Sequence, residues 1–131
     1  MSKINGLITP DQAKELDANY TQRYNLVSRD ITKRDDNRSN WFSIEELEAY
    51  IAHAKAQAKN KFKVELSGIR IYNGAYKTEN DKGGYSTVFL IPTSENSLGK
   101  DGSGDDHPDI QGADGLNFSD PGDPPGANYP Q

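Results

Sequence analysis

Asp101, Ser103, Asp105 and Asp109 set oxygen-bearing side chains at near-alternate positions, with Gly102 and Gly104 among them and Asp106 and His107 inside the run. Hard cations take about six to eight oxygen ligands from a chain that wraps around them, and glycines allow the wrapping. The run therefore reads as the first half of a calcium loop, and calcium is the one cofactor this chain suggests. Two features depart from that pattern. The sixth loop position is Asp106 rather than glycine, and the twelfth is Gly112 rather than a bidentate glutamate. A solvated, turn-rich acidic segment accounts for the same residues without a metal, so a calcium site here is expected to be weak.

The remaining catalytic vocabulary is sparse. His53 and His107 are the only histidines, and the chain has no cysteine. Thiolate nucleophiles, disulfides, iron–sulfur clusters and cysteine-based zinc sites are thereby excluded. Ser43, His53 and an aspartate could be drawn as a hydrolytic triad. However, Ser43 stands where a helix cap belongs, and no Gly-x-Ser-x-Gly elbow surrounds it. His53 falls on the solvent side of its helix. No glycine-rich phosphate loop of either common type is present. Glu45 and Glu46 are adjacent on a helix and diverge, which suits acid–base work poorly. No catalytic residues are assigned, and a small hydrolase is the most distant alternative.

A polar and aromatic set offers recognition instead. Arg70 and Tyr72 alternate with Ile69 and Ile71 along one strand, and Tyr76 and Tyr85 flank the loop that follows. Tyrosine and arginine are enriched where binding energy concentrates. Leu116 and Phe118 stand two apart in a segment otherwise built of Gly, Pro, Asp and Asn, so an extended chain points both the same way. Arg70, Tyr72, Tyr76, Tyr85, Leu116 and Phe118 are thus the candidate partner-binding residues. Ordinary cross-strand packing beneath a covering element is the alternative, and the C-terminal segment is a candidate for that cover.

These residues sit in a chain of 131, one domain's worth. Leu, Ile, Val and Phe supply 24 positions, of which residues 93–131 hold only Leu98, Ile110, Leu116 and Phe118. The same 39 residues contain seven glycines, five prolines and seven aspartates, and carry a net charge of −7 against −5 for the whole chain. The expected organisation is a globular body over 1–92 and an extended acidic tail over 93–131. The acidic tail and the absence of a basic patch argue against nucleic acid. No run approaches the length of a membrane span, and no secretory signal opens the chain. Cytoplasmic residence is the expectation.

Local grammar then places the elements. Thr9-Pro10-Asp11-Gln12 is a capping box with proline in the first turn, which predicts a helix over about 10–27. Residues 28–41 show no period and read as a long loop anchored by Ile31 and Trp41. Phe42-Ser43-Ile44-Glu45-Glu46-Leu47 opens a second helix running to about residue 60, with Leu47, Tyr50, Ile51, Ala54 and Ala58 on one face. The period then changes to two. Phe62, Val64 and Leu66 alternate with charged residues, Ile69 and Ile71 continue the pattern, and Tyr85–Ile91 returns as a strand stopped by Pro92. Two helices on a small antiparallel sheet of two to three strands make an α+β fold.

Gly68-Ile69-Arg70-Ile71-Tyr72, with a helix before it and Thr87-Val88-Phe89-Leu90 after it, resembles a group of small bacterial proteins of Bacteroidetes type. Such proteins share the two helices, the Gly-Ile-Arg-Ile-Tyr strand, a second strand and a variable C-terminal end. The resemblance implies the fold and carries no activity, cofactor or site residue. The functional expectation is a non-enzymatic interaction or structural module. Its partner is another protein or the chain itself, and self-association through the tail leads to a homo-oligomer or a fibre. A weak calcium-binding module over Asp101–Asp109 is the alternative.

Overall fold

Each helix begins where its first turn finds an acceptor for backbone N–H groups left without an intrahelical partner. In the computed structural model, which describes residues 4–79, 81, 83–95 and 106–117, α1 spans Pro10–Asp30 and α2 spans Ile44–Asn60. Thr9 Oγ1 accepts the Gln12 N–H, and Gln12 Oε1 accepts the Thr9 N–H at 2.9 Å, completing the box. Ser43 Oγ accepts the Glu46 N–H at 2.9 Å. Helix α1 runs three residues past the expected end, because the Ile31 and Thr32 N–H groups still find the Val27 carbonyl.

The strands are β1 (Leu66–Ala75), β2 (Ser86–Ser94) and β3 (Leu116–Asn117), ordered β1-β2-β3 in one antiparallel sheet. The fold is α+β. Phe89 pairs with Asn117 and Leu90 with Leu116, and an isolated antiparallel bridge joins Thr93 to Asp109.

Two strand expectations need correction. Phe62 and Val64 are not in a strand. Their N–H groups turn back to the Gln57 and Ala58 carbonyls, and Lys63 takes a left-handed φ of 58°. This tight exit from α2 uses up the residues whose alternation suggests extension. Pro92, in turn, does not stop β2, which continues to Ser94. A strand residue's N–H and C=O point to the same edge. The Pro92 carbonyl accepts the Ile110 N–H at 2.9 Å, so the donor proline lacks would face the irregular 106–117 segment rather than β1.

The chain divides into two units. One contains α1, the residues through Ser39 and the Tyr76–Ser86 connection. Tyr24 is the buried apolar residue of α1. The segment after α1 is held by polar groups rather than by Ile31 and Trp41, both of which are exposed. Asp36 is fully buried. It accepts the Ser86 N–H at 2.8 Å and the Ser86 hydroxyl, while its own N–H goes to Ser28 Oγ at 2.9 Å. Asn37 Nδ2 donates to the Ser86 carbonyl at 2.9 Å. Arg38, whose side chain is only 6% exposed, donates to the Asp17 carboxylate, the Asp17 carbonyl and Thr21 Oγ1. Its guanidinium also lies 4.8 Å from the Tyr24 ring centroid.

The second unit contains Asn40–Ala75 and the described residues from Thr87 onward. Helix α2 packs on β1 and buries Tyr50, Ala54 and Ala58, while Leu90, Pro92 and Ile110 are buried on the strand side. Two alanines one turn apart let a helix approach its neighbour closely. Ile51, expected on the same stripe, is exposed. Residues 106–117, assigned to the tail by composition, supply β3 and Ile110 to this unit.

Candidate interaction surface

Alternation along β1 places Gly68, Arg70, Tyr72 and Gly74 on one face. The Tyr72 ring stacks on Phe89 of β2, with centroids 5.2 Å apart and planes within 11°. A side chain at Gly74 would meet the Phe89 ring at 3.2 Å, so glycine there makes room for the stack. From this face Arg70 and Tyr72 reach across β2 to the 106–109 segment. Arg70 Nε donates to Asp109 Oδ1 at 3.3 Å, Tyr72 donates its hydroxyl to Asp109 Oδ2, and Arg70 Nη2 donates to the His107 carbonyl. The bridge at Thr93 and the Ser94 N–H to Pro108 carbonyl bond at 3.0 Å fix the same segment from the backbone side. His107 Nδ1 and Ser67 Oγ lie 3.1 Å apart, and Ser67 Oγ is 2.9 Å from Thr93 Oγ1.

These bonds fasten the 106–109 segment to the β1 face. Both oxygens of Asp109 accept hydrogen bonds, one from Arg70 and one from Tyr72. The ion pair is partly wet, with Arg70 38% and Asp109 26% exposed at the side chain. Such a pair contributes about 0–1 kcal/mol, and the tyrosine bond about 1 kcal/mol more.

A second clasp joins α2 to the stretch before β3. Tyr50, His53 and Gln57 share one face of α2 at i, i+3 and i+7 spacing. The Tyr50 hydroxyl donates to the Asp114 carbonyl at 3.0 Å, Gln57 Oε1 accepts the Asp114 N–H at 2.9 Å, and His53 Nε2 and Gln57 Nε2 each lie 3.0 Å from Asp114 Oδ2. The bonds from His53 and then Gln57 hold the Asp114 carboxyl below its ordinary range. Burial, followed by the Asp114 charge, pushes the Tyr50 phenol up. His53 stands on the exposed side of α2, as expected, and meets Asp114 there.

Of the candidate residues, Arg70, Tyr72 and Asp109 come together. Leu116 pairs with Leu90 and is half-buried. Tyr76 and Tyr85 belong to the other unit. There the Tyr76 N–H donates to the Tyr85 carbonyl at 3.0 Å, and the Arg34 guanidinium sits 4.2 Å from the Tyr85 ring centroid. Phe118 lies outside the described residues, as do Asp101, Ser103 and Asp105 of the candidate calcium loop. Among the described residues no three acidic or histidine side chains converge to hold a metal, and no helix is long and apolar enough to cross a membrane. Ser43 is engaged as the α2 cap, and His53 with Asp114.

No family model matches the chain, and no curated protein or solved structure matches it. The likeness to the Bacteroidetes-type group accordingly rests on the Gly68–Tyr72 strand motif and its flanking elements.

Proposed function

We propose that this chain is a non-enzymatic interaction module that associates with protein surfaces, copies of itself included. One observation carries the reading. In the unit built on the sheet, Trp41, Ile44 and Ile71 are 68%, 71% and 65% exposed, while the polar groups of the β1 face are engaged by Asp109 of the same chain. Scattered exposed aliphatics are ordinary. A tryptophan and two isoleucines this open within one small unit are the groups that association would bury. Each apolar side chain removed from water contributes roughly 1.5–3 kcal/mol. The C-terminal segment serves the module by fastening to the sheet, and exchange of residues 106–117 between copies is the tail-borne route to self-association.

The test is sedimentation of the full chain over a wide concentration range, alone, with calcium and with a chelator. Mass that rises with concentration in all three conditions supports the reading. Association only in calcium would favour the calcium-module alternative. A monomer at every concentration, with Trp41→Ser and Ile44→Ser changing nothing but stability, would sink self-association.

A further inference from the structure

Lys55, Lys59 and Lys63 are spread along the sequence and meet because α2 and the turn that follows it bring them to one side. Lys55 and Lys59 stand one turn apart on the helix, and Lys63 follows where the chain enters the left-handed region at a φ of 58°. With Val64, Glu65 and Leu66 they line a groove of about 580 Å³. All three lysines and Glu65 are exposed, and Val64 is 36% exposed. Lys61, between them in sequence, lies over the Phe62 ring instead. Among the described residues no ion pair engages Lys55 or Lys59, and Lys63 donates to the Asn60 carbonyl at 3.1 Å. Like charges one turn apart on a helix repel. The helix dipole favours Lys59 in the last turn, and the bond to Asn60 accounts for Lys63, but neither accounts for Lys55. Among its described lining residues the groove sets three positive charges against one negative.

We propose that this groove binds an extended acidic segment of a partner protein. The surface goes beyond the apolar one named above and lies at the end of α2 away from Trp41 and Ile44. Charge selects an anion, and spacing selects its form. Residues four apart on a helix are separated by about 6 Å along the axis. Side chains two apart on an extended chain point the same way at about 6.6–6.8 Å. Carboxylates at alternate positions of such a segment thus match Lys55 and Lys59. Ammonium groups on flexible stems suit single carboxylates, whereas planar, bidentate capture of phosphate favours arginine. No arginine is among the described residues that line the groove. Val64 adds apolar surface that a peptide side chain can cover and a free phosphate cannot. Nucleic acid and anionic bilayers present long arrays of charge, which the chain's net charge of −5 repels. Three lysines are few against such an array.

The probe is the peptide Leu-Ser-Glu-Ser-Glu, blocked at both ends, titrated into the isotope-labelled full chain and followed by backbone amide shifts. Shifts should concentrate at residues 55–66 and saturate. Binding should weaken as salt rises from about 20 to 200 mM, because exposed pairs are screened. The counterpart Leu-Ser-Gln-Ser-Gln should leave those amides unmoved. Lys55→Glu with Lys59→Glu should weaken binding on the order of tenfold. If that double variant fails to fold, Lys55→Ala with Lys59→Ala, which keeps helix propensity, takes its place and should weaken binding about threefold. Inorganic phosphate, a thymidine oligonucleotide and phosphatidylserine vesicles are titrated alongside at equal charge. Equal or stronger binding of any of these at the groove overturns the acidic segment as its partner. Shifts confined to other residues, no shift at all, or an affinity that the lysine variants leave unchanged overturn it too. Each of these failures leaves the reading built on Trp41 and Ile44 standing, because sedimentation tests that reading separately.

Discussion

Tyr72 on β1 donates its hydroxyl to Asp109, 37 residues later in the chain, and the bond passes over the strand between them. The C-terminal segment is thereby fastened to the sheet by side chains as well as by backbone pairing. Asp109→Ala leaves the Tyr72 hydroxyl and the Arg70 Nε without this acceptor. A loss of about 1–3 kcal/mol is expected, read from urea unfolding, with Tyr72→Phe costing about 1 kcal/mol. In both variants the segment around His107 should become more sensitive to protease.

Asp36 should matter more than any other acid in its unit. It is fully buried and takes two donors from Ser86. Asp36→Ala strands both, at about 1–3 kcal/mol for each buried group left unpaired. Asp36→Asn keeps one acceptor and should fall between wild type and alanine in the same unfolding measurement.

The pH profile of stability should bend at both ends. Asp114 titrates below its unfolded value because His53 and Gln57 bond its ionised form. Its contribution is complete above the ordinary carboxyl range, near pH 4, and is lost as pH falls through the lowered folded value. Asp114→Asn should flatten that acid limb. Tyr24 and Tyr50 are raised, first by burial. Their contribution is complete below about pH 10 and is lost as pH rises through the raised folded values. Thermal melts from pH 3 to 11 (roughly the span of these groups) check both limbs.

Glycine at 84 is required by backbone contact. A Cβ there would stand 2.1 Å from the Tyr76 carbonyl oxygen and 2.7 Å from that of Lys77. Gly84→Ala should cost about 1–3 kcal/mol, the usual size of an overpacking penalty, and disturb the Tyr76–Tyr85 pairing. Gly6→Ala, with nothing within 4 Å, should be silent in the same melt.

What the sequence makes legible is what neighbours in sequence decide. The Thr9–Gln12 box and the Ser43 cap mark both helix starts because their partners lie three residues away. The alternation around Arg70 and Tyr72 marks the polar face of β1, for which the tail is one candidate cover. The Asp36–Ser86 and His53–Asp114 contacts span 50 and 61 residues and leave no local trace. A buried aspartate in a charged, aperiodic stretch looks like any solvated one. Phe62 and Val64 mislead for a different reason. Their alternation fits a strand as well as the turn that Lys63 makes by entering the left-handed region. Pro92 misleads because its effect depends on which edge of the strand its missing donor faces.

The order in which the sheet is completed bears on how the chain fares while it is being made. β1 and β2 have left the ribosome's catalytic centre before Leu116, the partner of Leu90, has been added. At about 5–20 residues per second, the 37 residues between Tyr72 and Asp109 take roughly 2–7 s. Once Ser94 has been added, late in that interval, the hairpin has neither Asp109 over its polar face nor β3 along β2. Chains terminated before residue 106 remain in that condition permanently, with the β2 edge that β3 would pair left open. Prompt addition of residues 106–117 thus shortens the time for which the Leu90 edge of β2 stands without its partner strand.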